Sequence, residues 1–350
     1  MYDFLIIGQG IAGSLLAYNL IQKGKTVLII DDANPNSSSR VAGGLINPIT
    51  GKRLQKTWLA DQLFPYAHKF YTSLEKSLDV SFFHPKPVVR IFADARQAND
   101  WTAKCSASEL HAYLNPDYNF VNQKSFNIPD GYTVFDQGAV LDCAAMLEAL
   151  AEYFLQKNCL IKQEVNYKEF SHNGIISLDN IKAENIVFCE GWKGALNPWF
   201  NWLPFVPSKG DVLTVKIDNL KMDEIVSRGI FIRPLKDNIY RVGSTYIWDD
   251  QSELPTQKGI DELCGKLKSL LKTPFEVIDH KAGIRPTVRD RRPFLGQHPQ
   301  YKNMYIFNGL GTKGVLLAPR FATHFVEVLA NERKLNSEVD IKRFVETQNN

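Results

Sequence analysis

Apolar residues fall into three rhythms along the chain, and each predicts a different element. Short unbroken runs, Phe4-Leu5-Ile6-Ile7, Val27-Leu28-Ile29-Ile30 and Ile186-Val187-Phe188-Cys189, have the composition of strands buried on both faces of a parallel sheet, and Leu160 to Val165 reads the same way. Helical spacing governs about Trp58 to Leu78 and Cys143 to Gln156. From Gly210 the rhythm becomes alternation, which predicts antiparallel strands and a hairpin joining Gly229–Leu235 to Ile239–Trp248 across Lys236-Asp237-Asn238. Phe82 to Ala93 reads as a strand pair that Pro85 and Pro87 place at a sheet edge. The chain finishes with a strand, Asn303 to Phe307, a glycine turn and a helix through about Ala330.

The first apolar run leads into Gly8-Gln9-Gly10-Ile11-Ala12-Gly13, and the second ends on Asp31 with Asp32 beside it. Strand, glycine turn, helix, strand and acid in this order predict a nucleotide-binding unit. Gly8 makes the tight turn, Gly10 lets backbone N–H groups of Ile11 and Ala12 approach a pyrophosphate, and Gly13 lets helix and strand pack closely. Asp31 then accepts from the hydroxyls of an adenosine ribose, and with no Arg in its place a 2′-phosphate is disfavoured.

Composition narrows the setting. At 350 residues the chain has room for about two domains. A net charge of +3 is too small to imply nucleic acid. No apolar stretch approaches the roughly 20 residues that cross a bilayer, and no basic leader precedes a long apolar run, so a cytoplasmic location is expected. Five cysteines without C-x-x-C spacing and seven histidines without ligand spacing predict neither a disulfide framework nor a metal site.

Gly309-Leu310-Gly311-Thr312-Lys313-Gly314 is a second G-x-G-x-x-G between a strand and a helix. Too little chain remains after it for another βαβ unit, so this turn is read as serving the first cofactor. A helix N-terminus carries about half a positive charge, which suits the N1 to C2 carbonyl edge of a reduced flavin. The cofactor is therefore read as FAD, with ADP at the chain's beginning and flavin at its end. Lys313 is read either near that edge or as a solvated loop lysine.

These residues resemble the FAD-dependent family that includes D-amino-acid oxidase, glycine oxidase and sarcosine oxidase. Ser37 to Leu45 is similar to the family's serine-rich segment ending in Ala-Gly, Glu164-Val165 to the strand whose valine contacts adenine, and Cys189-Glu190-Gly191-Trp192 to its Gly-Trp turn. Lys209-Gly210-Asp211 resembles the strand leading into the substrate domain. Ala282-Gly283-Ile284-Arg285-Pro286, Pro293-Phe294-Leu295-Gly296, Gly309 to Gly314 and Leu317-Ala318-Pro319 complete the series. The resemblance implies that Ser38, Arg40, Gly43, Gly44, Leu45, Val165, Gly191, Arg285, Gly309, Gly311, Thr312, Lys313, Gly314 and Val315 join the glycine turn, Asp31 and Asp32 in holding FAD. It also implies hydride transfer from the carbon bearing nitrogen to flavin N5, with Arg285 fixing a substrate carboxylate. The other reading of Arg285 is a salt bridge with Asp290. Glycine oxidase-like sequences carry Arg where this chain has Thr312, and Leu310 replaces an aromatic or histidine. With no cysteine after Cys264, FAD is expected to be noncovalent.

Alternation puts Tyr240, Val242, Ser244, Tyr246 and Trp248 on one strand face and Ile239, Arg241, Thr245 and Ile247 on the other. The Tyr246 face is expected toward substrate, with Trp248 as a wall and Arg233 as a weaker candidate for a second anionic group. The run Arg285, Arg289, Arg291, Arg292 reads as a solvated loop compensated by Asp290.

The expected fold class is α/β nucleotide-binding, a Rossmann-like FAD domain of the glutathione-reductase type (1–80, 138–205 and 280–350), interleaved with an antiparallel α+β substrate domain (81–137 and 206–279). The expected activity is oxidation of a small amine or amino acid to an imine that hydrolyses. Three alternatives stay open: an oxidase acting on a modified wobble uridine of transfer RNA, a non-catalytic flavin-binding protein, and a flavin hydroxylase, which would need NADPH to reduce the flavin. The expected partner is a small molecule, with neither membrane nor nucleic acid; no oligomeric state is assigned.

Overall fold

The unbroken apolar runs assemble as a parallel sheet in the computed structural model, which describes residues 1–51, 53–105, 108–171 and 174–345. Tyr2–Ile7 lies between Val27–Asp31 and Ile181–Phe188, with Leu160–Lys162 beyond the former and Met304–Asn308 beyond the latter. Leu5, Ile6, Ile29, Ile30, Val187 and Phe188 are all wholly buried, which is why their sequence shows no alternation. Helices Ile11–Gln22, Ala60–Leu78, Cys143–Gln156 and Gly314–Leu329 share a core with one face of this sheet. Antiparallel strands at its margins make it eight-stranded.

A second, seven-stranded sheet has the order Glu276–Arg285, Ser208–Lys216, Ile239–Gly243, Phe231–Pro234, Ile225–Ser227, Val88–Ile91, Tyr132–Phe135. Its outer face packs against Leu263, Leu267 and Leu270 of helix Gln257–Leu270. The predicted hairpin forms, with Leu235 N–H donating to the Ile239 carbonyl at 2.9 Å. Asp237 and Asn238 take φ of +52° and +61°, which short polar side chains tolerate. Glu276–Arg285 pairs along its length with Ser208–Lys216, so residue 280 falls inside a strand of this sheet.

Four local expectations are corrected. The strand read as Ile239–Trp248 ends at Gly243, because side chains from other segments capture the next two residues: Arg285 donates to the Ser244 hydroxyl and the Thr245 carbonyl, and the Thr245 hydroxyl bonds Asp211. Phe82 to Ala93 does not form a pair at one edge. Phe83–Pro85 joins the edge of a three-stranded sheet with Ala139–Leu141 and Leu45–Ile46, whereas Val88–Ile91 is interior to the seven-stranded sheet, with Pro85 and Pro87 marking the crossing. That sheet is not wholly antiparallel, since Ile225–Ser227 and Val88–Ile91 run parallel. The strand at Leu160 stops at Lys162, leaving Val165 beyond its end, packed against the second face of the parallel sheet.

Candidate active site

The first glycine turn is built on backbone contact. A Cβ on Gly13 would lie 1.9 Å from the Gly8 carbonyl oxygen, and one on Gly8, whose φ is +104°, 2.5 Å from that of Cys189. Gly10 is different: a Cβ there would meet only the Ser39 hydroxyl, at 3.2 Å. The first bond inside the helix runs from Ser14 N–H to the Gly10 carbonyl, so the N–H groups of Ile11, Ala12 and Gly13 precede it and face the open side of the turn. Ser39 accepts from Ile11 N–H at 3.1 Å. This crowded turn with one open glycine is a cradle for a pyrophosphate.

Asp31 accepts one backbone N–H on each oxygen, from Gln9 at 2.6 Å and Ala33 at 2.8 Å. A carboxylate has about four lone-pair positions, so two remain for ribose hydroxyls. Asp32 is instead paired with Lys193 at 2.7 Å. A cleft of about 490 Å³ opens beside Asp31, lined also by Gln9, Ala33, Arg40, Glu148 and Lys162. The residues present thus fit the adenosine diphosphate end of FAD.

Ser38 and Arg40 lie in the short helix Ser38–Val41, whose Ser38 and Val41 border Gly283 of the seven-stranded sheet. Gly44, at φ +70°, approaches Leu141 so closely that a Cβ would sit 1.9 Å from its carbonyl oxygen, and Leu45 pairs with Val140. Gly43 faces the Phe231 ring, which fills a slot between Gly43 and Gly243. Neither Ser39 nor Phe231 was singled out from the sequence. The serine run was the available signal for Ser39, while only register across two segments places Phe231.

At the chain's end Gly309 and Gly311 take φ of +72° and +56°, a turn over Gly311–Lys313 exposes Thr312, and the helix begins at Gly314. Val315 accepts from the Tyr71 hydroxyl at 2.7 Å. Lys313 is not a solvated loop lysine. It is largely buried and donates to Thr50 and Thr57 at 3.2 and 3.1 Å, and burial, with Arg291 and Arg292 nearby, pushes its amine down to about 8. Gly191, at φ +59°, leaves open space where a side chain would stand. The charged Glu190 before it is accommodated by the Tyr167 hydroxyl and by Asn197 at 2.7 Å, while burial pushes its carboxyl up.

Arg285 and Tyr246 come together although the strand that was to position Tyr246 ends before it. The guanidinium lies over the Tyr246 ring, 4.6 Å from its centroid, and Tyr246 is otherwise exposed. Arg285 does not pair with Asp290, which is held by Arg343 at 2.8 Å. Its hydrogen bonds all go to neutral oxygens: the Ser208 and Lys209 carbonyls at 3.4 and 3.2 Å, the Ser244 hydroxyl at 2.7 Å and the Thr245 carbonyl at 3.1 Å. These contacts fix the plane of the group without neutralising it. Burial lowers its pKa, opposed by Tyr246 and Asp211. Asp211, fully buried, is itself occupied by Thr245, Thr256 and His280. Trp248 is exposed, and Arg233 is buried well along the sheet from Arg285.

The chain is similar to several characterised proteins along nearly its whole length. Glycine oxidase of Pseudomonas putida (strain KT2440) is 25% identical, with 93% of each chain covered. The solved structure of glycine oxidase from Bacillus cereus ATCC 14579 superposes with a TM-score of 0.78 at 19% identity, covering 95% of this chain and 96% of that one. Iminodiacetate oxidase from Chelativorans sp. BNC1 gives 0.78 at 20% identity, covering 96% and 98%. Residues 3–328 match the family described as FAD dependent oxidoreductase. With the nucleotide cradle at one end and the coverage almost complete, the chain belongs to the family of FAD-dependent oxidoreductases.

Proposed function

We propose that this FAD-dependent oxidoreductase oxidises the carbon–nitrogen bond of a small amine or amino acid, giving an imine that water hydrolyses. The observation that carries the reading is Arg285, a largely buried cation held in place by four neutral acceptors and stacked on Tyr246. A substrate carboxylate supplies the missing counter-charge, and the planar fork sets its orientation. Tyr246 forms one wall and keeps the guanidinium from swinging away. When bound, FAD supplies the acceptor for a hydride at flavin N5. The protein's part is then to hold the amine with its C–H correctly aimed, which needs no strong base if the amine enters neutral. Similar proteins are oxidases of glycine and of iminodiacetate, which supports a small amine as substrate.

The cofactor residues would be the glycine turn and Asp31 at the ADP end and the Gly309 to Val315 turn at the flavin end, with FAD held noncovalently. The proposed division keeps 1–80, 138–205 and 280–350 as the FAD domain and 81–137 with 206–279 as the substrate domain. We take the substrate to be a small molecule in preference to a transfer RNA, because the net charge of +3 is small for phosphate-backbone binding and, within the arginine run, Arg285 is held by neutral oxygens and Arg292 by Glu338 at 3.6 Å and the Trp58 ring. No helix among the described residues is long and apolar enough to cross a membrane. The five cysteines are all free thiols, which supports a cytoplasmic location.

The deciding experiment mixes the FAD-loaded protein anaerobically with glycine, sarcosine, proline and both enantiomers of common amino acids while following flavin absorbance. At least one is expected to bleach the flavin within seconds. If none does while dithionite bleaches it normally, the reading fails.

A further inference from the structure

Three arginines line the inner face of the seven-stranded sheet, the face turned toward the nucleotide-binding body. Alternation and packing settle their side. Val89, Ile91, Val226, Ile232, Tyr240 and Val242 belong to the outer core, whereas Val88 and Ile225, one position away, belong to the core of the parallel sheet. Arg90, Arg233 and Arg241 therefore project inward, as does Phe231. Arg233 and Arg241 stand directly opposite each other on paired strands, and Arg90 is in register with Ser227. Like charges facing each other across a sheet destabilise it.

No carboxylate among the described residues forms an ion pair with any of the three arginines. The Nε of each of the three is buried without a hydrogen-bond acceptor, and the Ser227 hydroxyl beside Arg90 is unpartnered as well. Arg233 is 5% exposed. The charge felt most strongly by Arg233 is that of Arg241, and the first opposite charge after it is Asp142, whose carboxylate caps the helix Cys143–Gln156 through Ala145 N–H at 3.2 Å. A buried, unpaired cation is among the costliest features a fold can carry, and here buried Arg233 adjoins half-buried Arg241, with half-buried Arg90 on the same face.

We propose that Arg233, Arg241 and Arg90 form a subsite for a second oxyanion of the substrate, a carboxylate or a phosphonate, so that the favoured substrate is an amine or amino acid with an anionic side chain. The inference rests on the small-amine reading above, with Arg285 taking one anionic end and the arginine row the other. The Arg285 guanidinium lies over Gly210, and Arg241 stands opposite Thr214, four residues and about 13 Å further along the same strand. The long side chain of Arg241 shortens that span, which still favours an acid borne on several methylenes over a short one.

The test compares glutamate and 2-aminoadipate with glutamine, and 2-amino-4-phosphonobutyrate with glutamate, each as both enantiomers, by anaerobic flavin reduction in the FAD-loaded enzyme. The acid is expected to exceed its amide in kcat/KM by about 30-fold or more, the scale of a charge-assisted contact, and this ratio is expected to fall toward one in Arg233→Met and Arg241→Met. The comparison of phosphonate with carboxylate tells which oxyanion the subsite takes. Binding is read separately, with glutarate as probe: it should raise the Tm of the wild type and not of the variants. Without glutarate the variants should be at least as stable as the wild type, since each loses an unpaired charge. A wild-type ratio near one, a ratio that survives both substitutions, or a glutarate shift equal in all three proteins overturns the subsite. If glutarate discriminates among the proteins but no amine bleaches the flavin, the subsite stands and the small-amine reading falls; if amines lacking an acid bleach it and glutarate has no effect, the reverse holds.

Discussion

At the first glycine turn the tightest contacts are backbone against backbone, whereas on the inner face of the seven-stranded sheet three guanidinium groups meet no acceptor through Nε. The turn is complementary to itself, with Gly8, Gly13 and Cys189 leaving no volume for a methyl group, and it opens only at Gly10. The sheet face is complementary to something outside the chain. The first region is rigid because close packing tolerates no added atom; the second carries charge that no ion pair among the described residues balances. Shape organises the cofactor end, and unbalanced charge organises the substrate end.

The contrast breaks most sharply at the turn. Gly13→Ala drives a Cβ to 1.9 Å from the Gly8 carbonyl oxygen, which backbone cannot yield, and is expected to cost roughly 3 kcal/mol or more with loss of bound FAD. Gly10→Ala meets only the Ser39 hydroxyl and is expected to cost at most about 1 kcal/mol while still reducing FAD content. Thermal unfolding and the flavin-to-protein ratio check both. Equal damage from the two would end the distinction between a packed and an open glycine.

Next in size is the substrate end. Arg285→Leu is expected to lower kcat/KM for a carboxylated amine by about 100-fold, mainly through KM, as a charged contact to substrate is lost. Steady-state kinetics with a carboxylated and a carboxyl-free amine measure it, and an equal loss on both would remove Arg285 from the carboxylate site.

The last effect is one of pH. Lys313 loses its proton near 8 in the folded protein, against an ordinary value of 10.5. Between these values the unfolded chain binds more protons than the folded one, so this residue makes stability rise with pH from about 8 to about 10.5. Denaturant unfolding across that range should show the slope in the wild type and lose it in Lys313→Met. A slope unchanged by the substitution would mean that the amine is solvated after all.

The features legible in advance were local. Strand, glycine turn, helix and acid lie within about 30 residues, the length of one βαβ unit, and the buried runs announce a parallel sheet because no face of it meets water. Tyr246 shows the limit: alternation put it on a strand face, but the strand is cut short by Arg285 and Asp211, which lie about 40 and 35 residues away in sequence. Lys313 shows another, since a lysine in a glycine turn looks solvent-bound until Thr50 and Thr57 are seen to enclose it.

By itself, then, the amino-acid order determined the nucleotide-binding unit, the two-sheet character of the chain and the residues able to bind an anion, because turn geometry, burial periodicity and charge are properties of near neighbours. The tertiary structure alone decided that Arg285 stacks on Tyr246 and ignores Asp290, and that Arg90, Arg233 and Arg241 share one inward face. Those outcomes depend on which strands pair and in what register, and register is settled by contacts between segments far apart in sequence.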